Sequence, residues 1–105
     1  MDAEARYREI VDELAAKTGE VEHAKMFGMP SVKAAGKAIG GFYEGDMIFK
    51  LPEQGARERA LALDGAHLFE PMAGRPMKEW VVVPAAHAGE WAALLETALG
   101  ESGSG

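Results

Sequence analysis

The stretch "KAIGGFYEGDMIFKLP", residues 37–52, decides the fold. Two apolar runs are separated here by Glu44-Gly45-Asp46, a sequence typical of a tight turn between antiparallel strands. In the second run, Met47, Phe49 and Leu51 share one face of a strand, and we expect that face to be buried. The proline that follows ends the run, because proline cannot donate to a ladder of backbone hydrogen bonds.

Short runs broken by glycine and proline continue upstream of this stretch. Between Ala24 and Leu51 the sequence contains three or four of them, and Gly36-Lys37 marks a second tight turn. Turns this short join antiparallel neighbours, whereas parallel strands need a long crossover. We therefore predict three or four antiparallel strands in this region.

Three further segments have the spacing of amphipathic helices. The first runs from about Asp2, a predicted N-cap, to Ala16. The second covers roughly residues 53–63, and the third follows Pro84 and ends near Gly100. The apolar stripe of the first helix consists of Tyr7, Ile10, Val11 and Leu14.

The remaining strand is "MKEWVVV", residues 77–83, which is rich in β-branched residues. The predicted order is about α-β-β-β-α-β-α, in a single domain over residues 1–100 with a flexible tail at 101–105. The predicted class is a two-layer α+β fold, with a mainly antiparallel sheet and the helices on one face. We expect the second face to be wholly or partly open to solvent or to a partner, and Trp91 to be buried between the last helix and the sheet.

The charge is unevenly distributed along the 105 residues, which have a net charge of −6 and no cysteine. Residues 1–22 and 85–105 are acidic, whereas residues 23–84 hold eight bases and seven acids. The overall charge argues against a general nucleic-acid binder, and an anion site is expected only in the middle of the chain. No apolar run is long enough to span a membrane, so a cytoplasmic location is expected.

No catalytic motif is complete in this sequence. "AAGKAIGG" resembles a phosphate loop, but Ser31 and Ala38 occupy the positions that need glycine and a hydroxyl residue. His23, His67 and His87 lie far apart, so no metal site is predicted. We therefore expect a non-enzymatic protein with no cofactor, and an unrecognised small-molecule enzyme remains an alternative.

The candidate binding residues are Lys50, Arg75, Lys78 and Trp80. Cationic side chains beside an aromatic ring are typical of sites that hold nucleotides or single-stranded nucleic acid. If Lys50 lies on a strand next to that of Trp80, the four side chains form one patch. The competing interpretation is that Trp80 packs in the core. Met77 and Trp80 are three residues apart, so we expect them on opposite faces, with Met77 on the core face.

Four motifs together resemble the TfoX N-terminal-domain family and, more distantly, the YjbR/MmcQ-like domains. They are "MFG" at Met26-Phe27-Gly28, "GK" at Gly36-Lys37, "FKLP" from Phe49 to Pro52 and "GRPMKEWV" from Gly74 to Val81. The resemblance covers about residues 20–100. It implies a compact α+β domain with an antiparallel sheet, and a link to transcriptional coactivation in DNA-uptake competence.

The resulting functional hypothesis is a non-enzymatic binding or regulatory domain that acts through a protein partner or a small ligand. A nucleic-acid or nucleotide-phosphate binding module is the alternative, although the net charge disfavours nucleic acid. The oligomeric state stays open between monomer and homodimer.

Overall fold

The chain folds into an antiparallel sheet with helices packed on one face. The computed structural model describes residues 2–72 and 74–102, and the strand order in its six-stranded sheet is β1-β2-β3-β4-β6-β5. The α+β class is confirmed, with two strands more than the predicted order. The elements are α1 (Ala3–Thr18), β1 (Val21–Met26), β2 (Met29–Ala34), β3 (Lys37–Tyr43), β4 (Asp46–Lys50), α2 (Gln54–Leu61), β5 (His67–Met72), β6 (Arg75–Val83), a 3-10 helix (Ala85–His87) and α3 (Ala88–Ser102).

Three two-residue turns of the same type connect β1 to β4. Their central residues are Phe27-Gly28, Ala35-Gly36 and Glu44-Gly45, and all six have positive φ. Positive φ at both central residues matches the right-handed twist of the flanking strands, so such turns close tight hairpins. The predicted turns lie where expected, except that Lys37 already belongs to β3 and Asp46 to β4.

Helix α1 begins as predicted and ends at Thr18, two residues beyond the predicted Ala16. The Asp2 side chain accepts a hydrogen bond from the backbone N–H of Ala5 at 2.7 Å, which confirms it as the N-cap. Gly19 ends the helix in the left-handed conformation and donates its N–H to the Ala15 carbonyl. The predicted apolar stripe is buried.

The main core lies between the sheet and helices α1 and α3. Trp91 is fully buried there, as predicted, and its indole packs edge-on against Phe42 with ring centroids 6.5 Å apart. The expected core face of β4 is also confirmed. The residues of this core with no measurable exposure are Val11, Val32, Met47, Phe49, Leu51, Val81, Val83, Trp91 and Leu95.

The second face of the sheet is partly covered, because the sheet curls over it. Tyr43 on β3 contacts Phe69 on β5, with ring centroids 5.2 Å apart, although β4 and β6 lie between these strands. Three strand spacings in a flat sheet would separate them by about 14 Å. The curl encloses a second apolar cluster, and its buried members are Met29, Ile48, Phe69, Trp80 and Val82.

The last helix passes through Gly100 and continues to Ser102, two residues beyond its predicted end. The rest of the predicted tail, residues 103–105, lies outside the described residues. Among the helices that the structure describes, none combines the length and apolar character needed to cross a bilayer.

Candidate functional site

Two of the four candidate residues lie side by side, because β4 and β6 are neighbouring antiparallel strands. Lys50, at the end of β4, is directly opposite Trp80 on β6. Arg75 begins β6, and Lys78 follows it by three residues; both side chains are exposed. The structure therefore brings Lys50 and Trp80 together and places the other two bases along the same end of β6.

Trp80 does not present its ring to solvent. Its exposed fraction is 7%, and it packs in the second apolar cluster with Ile48, Phe69 and Val82. A base can stack only on an aromatic face that it can reach. Trp80 thus stabilises the curled sheet, and the cationic side chains near it are the part of the patch that a ligand could contact.

The expected alternation of Met77 and Trp80 is wrong, because both side chains pack against the second cluster. The cause is a register slip between β5 and β6, where Leu68 pairs with Val81 but Phe69 pairs with Met77. Leu68 and Phe69 are consecutive in β5, but three residues of β6 separate their partners Val81 and Met77. Such an irregularity interrupts the alternation of faces along a strand, so a three-residue separation no longer implies opposite sides.

The bases of the strands gather at one end of the sheet, which we call the basic end. Neighbouring strands run in opposite directions, so the end of β2, the start of β3, the end of β4 and the start of β6 all meet there. None of these bases forms an ion pair within the described part of the chain. The basic end consists of Lys33, Lys37, Lys50, Arg75 and Lys78.

A small cavity of about 100 Å³ opens at the basic end, between the sheet and the last turn of α3. Lys37 and Lys50 line it, and Ile39, Pro52 and Ala98 supply apolar walls. The cavity is also lined by Glu101, whose carboxylate accepts a hydrogen bond from the Glu53 backbone N–H at 2.9 Å. Two lysine residues at a cavity with apolar walls favour a small anion such as a carboxylate or phosphate group.

The opposite end of the sheet is acidic. A groove of about 600 Å³ lies between the β3–β4 turn and β5, and Glu44, Asp46 and Glu70 are among the residues that line it. The hydrogen bond to Glu44 and the negative charge of that carboxylate raise the pKa of Tyr43, which also lines the groove. The groove begins at the acidic β3–β4 turn and extends along β5 to Pro76, near the start of β6.

The three histidines are each engaged locally. His23 Nε2 lies 2.8 Å from the Asp12 carboxylate, His67 Nδ1 lies 3.1 Å from the Gly65 carbonyl oxygen, and His87 Nε2 lies 2.8 Å from that of Asp64. Within residues 2–72 and 74–102, no three potential histidine, aspartate or glutamate ligands converge as a metal would require.

Sequence reasoning missed one exposed aromatic residue. Phe27, in the β1–β2 turn, is 72% exposed and has a φ of 53°. The turn could have been recognised from the glycine that follows it, but the apolar residue beside that glycine favoured burial.

Searches with this chain against models of protein families, against curated proteins and against solved structures each found no significant match.

Proposed function

We propose that this chain is a non-enzymatic binding domain that uses the basic end of its sheet to hold anionic groups of a partner protein or a small ligand. The observation that carries the proposal is the position of Lys33, Lys37 and Lys50 at the same end of three adjacent strands. Lys37 and Lys50 line the same cavity, and Lys33 lies opposite Ala38, another residue of its wall. Charges held at one end of a rigid sheet can recognise a carboxylate or phosphate group without a change of backbone conformation.

A regulatory role of the TfoX N-terminal type, in the cytoplasm, belongs to the same proposal and rests on the motif resemblance. The domain would then work by contact with another protein and not by chemistry. A binding domain needs only a surface of suitable shape and charge, and the basic end supplies one within a protein of net charge −6.

The nucleic-acid alternative has less support. Proteins that bind single strands combine a basic groove with aromatic rings on which bases stack. Trp80 is the aromatic residue beside Lys50, and its 7% exposure leaves it unsuited to that role. Nucleic acid is therefore included in the test as a competing ligand.

The test is an amide chemical-shift titration at low salt with four probes: polyglutamate, inorganic phosphate, single-stranded DNA and duplex DNA. We expect polyglutamate or phosphate to shift the amides of Lys33, Lys37 and Lys50, and added salt to weaken the effect. A larger response to DNA at the same amides would support the alternative function.

Two charge reversals make the test specific. Lys50→Glu should weaken binding, whereas Arg59→Glu, the same charge change on the exposed side of α2, should leave it nearly unchanged. The proposal fails if no polyanion shifts these amides at low salt, or if the two variants weaken binding equally.

A further inference from the structure

The two edges of the sheet differ in their capacity to pair with another strand. At one edge, β5 contains Pro71, which lacks an N–H, and its pairing with β6 slips twice. Proline and irregular register are devices that protect an edge from further pairing. At the other edge, β1 has no proline and pairs with β2 in unbroken register over all six of its residues. The β1 edge is therefore the one suited to accept another strand.

The β1–β2 register determines which backbone groups of β1 point outward. Met26 and Met29 flank a two-residue turn, so they form a pair that exchanges both backbone hydrogen bonds. The pattern alternates along the strand, and Ala24 is therefore also bonded to β2. The N–H and C=O groups of His23 and Lys25 consequently point away from the sheet.

The helix side of this edge carries complementary charges. His23 lies against Asp12 of α1, and the Asp12 side chain is 70% exposed. Lys25 is two residues further along the same face of β1 and is exposed. Because α1 positions four residues apart share a stripe, Arg8 and Ala16 lie on the same side of the helix as Asp12. Glu4 shares this stripe and pairs with Arg8, which leaves Asp12 as the acid of the stripe that contacts β1.

We propose that β1 pairs in antiparallel fashion with β1 of a second copy of this chain, about a two-fold axis at Ala24. A two-fold axis perpendicular to the sheet places the same residue of both copies opposite itself. An axis at Lys25 would set two ammonium groups against each other, and an axis at His23 would set Lys25 opposite Val21. At Ala24, Lys25 of each copy comes opposite His23 of the other and within reach of Asp12.

The same register gives Phe27 a contact. With the axis at Ala24, the residue opposite Val21 is Phe27 of the second copy. In the single chain, Phe27 is a large apolar side chain that is 72% exposed and held in a left-handed conformation. A bulky residue at positive φ is an unfavourable choice for a turn. Its presence is accounted for if burial against the second copy offsets the strain.

The experiment is sedimentation equilibrium of the full chain over a wide concentration range, with single and paired charge reversals. We expect a reversible monomer–dimer equilibrium. Lys25→Asp and Asp12→Lys should each raise the dimer dissociation constant by roughly tenfold or more, because each reversal turns two symmetry-related attractions into repulsions. The double variant, which exchanges the two charges, should restore dimerisation to near the original strength.

Glu13→Lys is the matched control, because Glu13 is exposed on another side of α1 and the charge change is the same as in Asp12→Lys. It should leave the dissociation constant nearly unchanged. Amide hydrogen exchange gives a second measurement, in which the outward amides of His23 and Lys25 should gain protection as concentration rises.

Three results would overturn the proposal. They are a monomer at every concentration tested, a dimer that responds equally to Glu13→Lys and Asp12→Lys, and a double variant no stronger than either single one. Circular dichroism of each variant shows whether the fold is retained. This edge is separate from the basic end, so loss of dimerisation with polyanion binding intact would leave the proposed function standing.

Discussion

The indole nitrogen of Trp91 donates a hydrogen bond to the backbone carbonyl of Val83 across 3.1 Å. This contact joins the first turn of α3 to the last residue of β6, and both residues are fully buried in the main core. A tryptophan N–H that is removed from water needs such a partner, so the hydrogen bond fixes the orientation of a ring that also fills the core.

Truncation of this side chain should therefore be costly. Trp91→Ala is expected to lower the free energy of unfolding by about 3–5 kcal/mol, as is typical of a large aromatic residue removed from a core. Trp91→Phe should lower the free energy of unfolding by less, because a phenylalanine ring keeps most of the packing. It removes the hydrogen bond to the Val83 carbonyl. Urea denaturation measures both. A loss of less than about 1 kcal/mol for the alanine variant would contradict the packing described here.

Replacement of Phe27 should stabilise the isolated chain. Asparagine adopts positive φ more readily than phenylalanine, and Asn-Gly is a preferred sequence for this type of turn. Phe27→Asn is expected to raise the free energy of unfolding by about 1 kcal/mol, measured at concentrations where the chain is monomeric. The same variant should weaken the proposed dimer. A destabilised monomer would show that the Phe27 ring contributes to the fold itself.

Gly41 should not tolerate a side chain. A Cβ at this position would come within 2.8 Å of the Pro30 carbonyl oxygen on the neighbouring strand. Gly41→Ala is expected to cost about 1–3 kcal/mol, because backbone must move to accommodate the methyl group. Gly100→Ala is the control: it lies within α3 with no atom near its added Cβ, and it should stabilise by up to about 1 kcal/mol. Thermal unfolding distinguishes the two, and equal effects would contradict the close approach.

The stability of the protein should fall at high pH because of Tyr7. Its hydroxyl is buried and has no hydrogen-bond partner among the described residues, and burial raises its pKa above the ordinary value of 10.0. The unfolded chain loses this proton near pH 10 whereas the folded chain retains it, so the free energy of unfolding decreases as pH rises beyond that point.

Tyr7→Phe tests this origin of the pH dependence. The variant should be at least as stable as the original near neutral pH, since it removes an unpaired buried hydroxyl. Its free energy of unfolding, from urea denaturation at a series of pH values, should decline less above pH 10. If the pH dependence of the variant is unchanged, groups other than Tyr7 cause the loss of stability at high pH.

The local elements were predictable from the sequence, since nearby residues determine them. The stripe of α1, its Asp2 cap, the buried face of β4 and the Glu44-Gly45 turn all follow from spacings of a few residues. Burial of Trp91 also followed, because the apolar stripe of α3 has a sheet to pack against.

The features that the sequence did not reveal depend on contacts between distant strands. The curl brings Tyr43 of β3 against Phe69 of β5, two strands that are not neighbours in the sheet. The register slip that turns Met77 toward Trp80 lies in the pairing of β5 with β6. A strand pattern read alone assumes regular alternation, and it carries no signal of a slip. Lys50 was expected near Trp80 only if their strands were neighbours. In the structure β4 and β6 are neighbouring strands.

The proline and irregular pairing of β5 have a consequence for assembly beyond two chains. A sheet that could extend at both edges would add copies without limit and form a fibre. Here a pair joined through β1 would present only its two β5 edges, and both lack the regular ladder that another strand requires. Growth would stop at a dimer with one continuous twelve-stranded sheet. The irregular pairing of β5, which could not be predicted from the sequence, would thus prevent polymerisation.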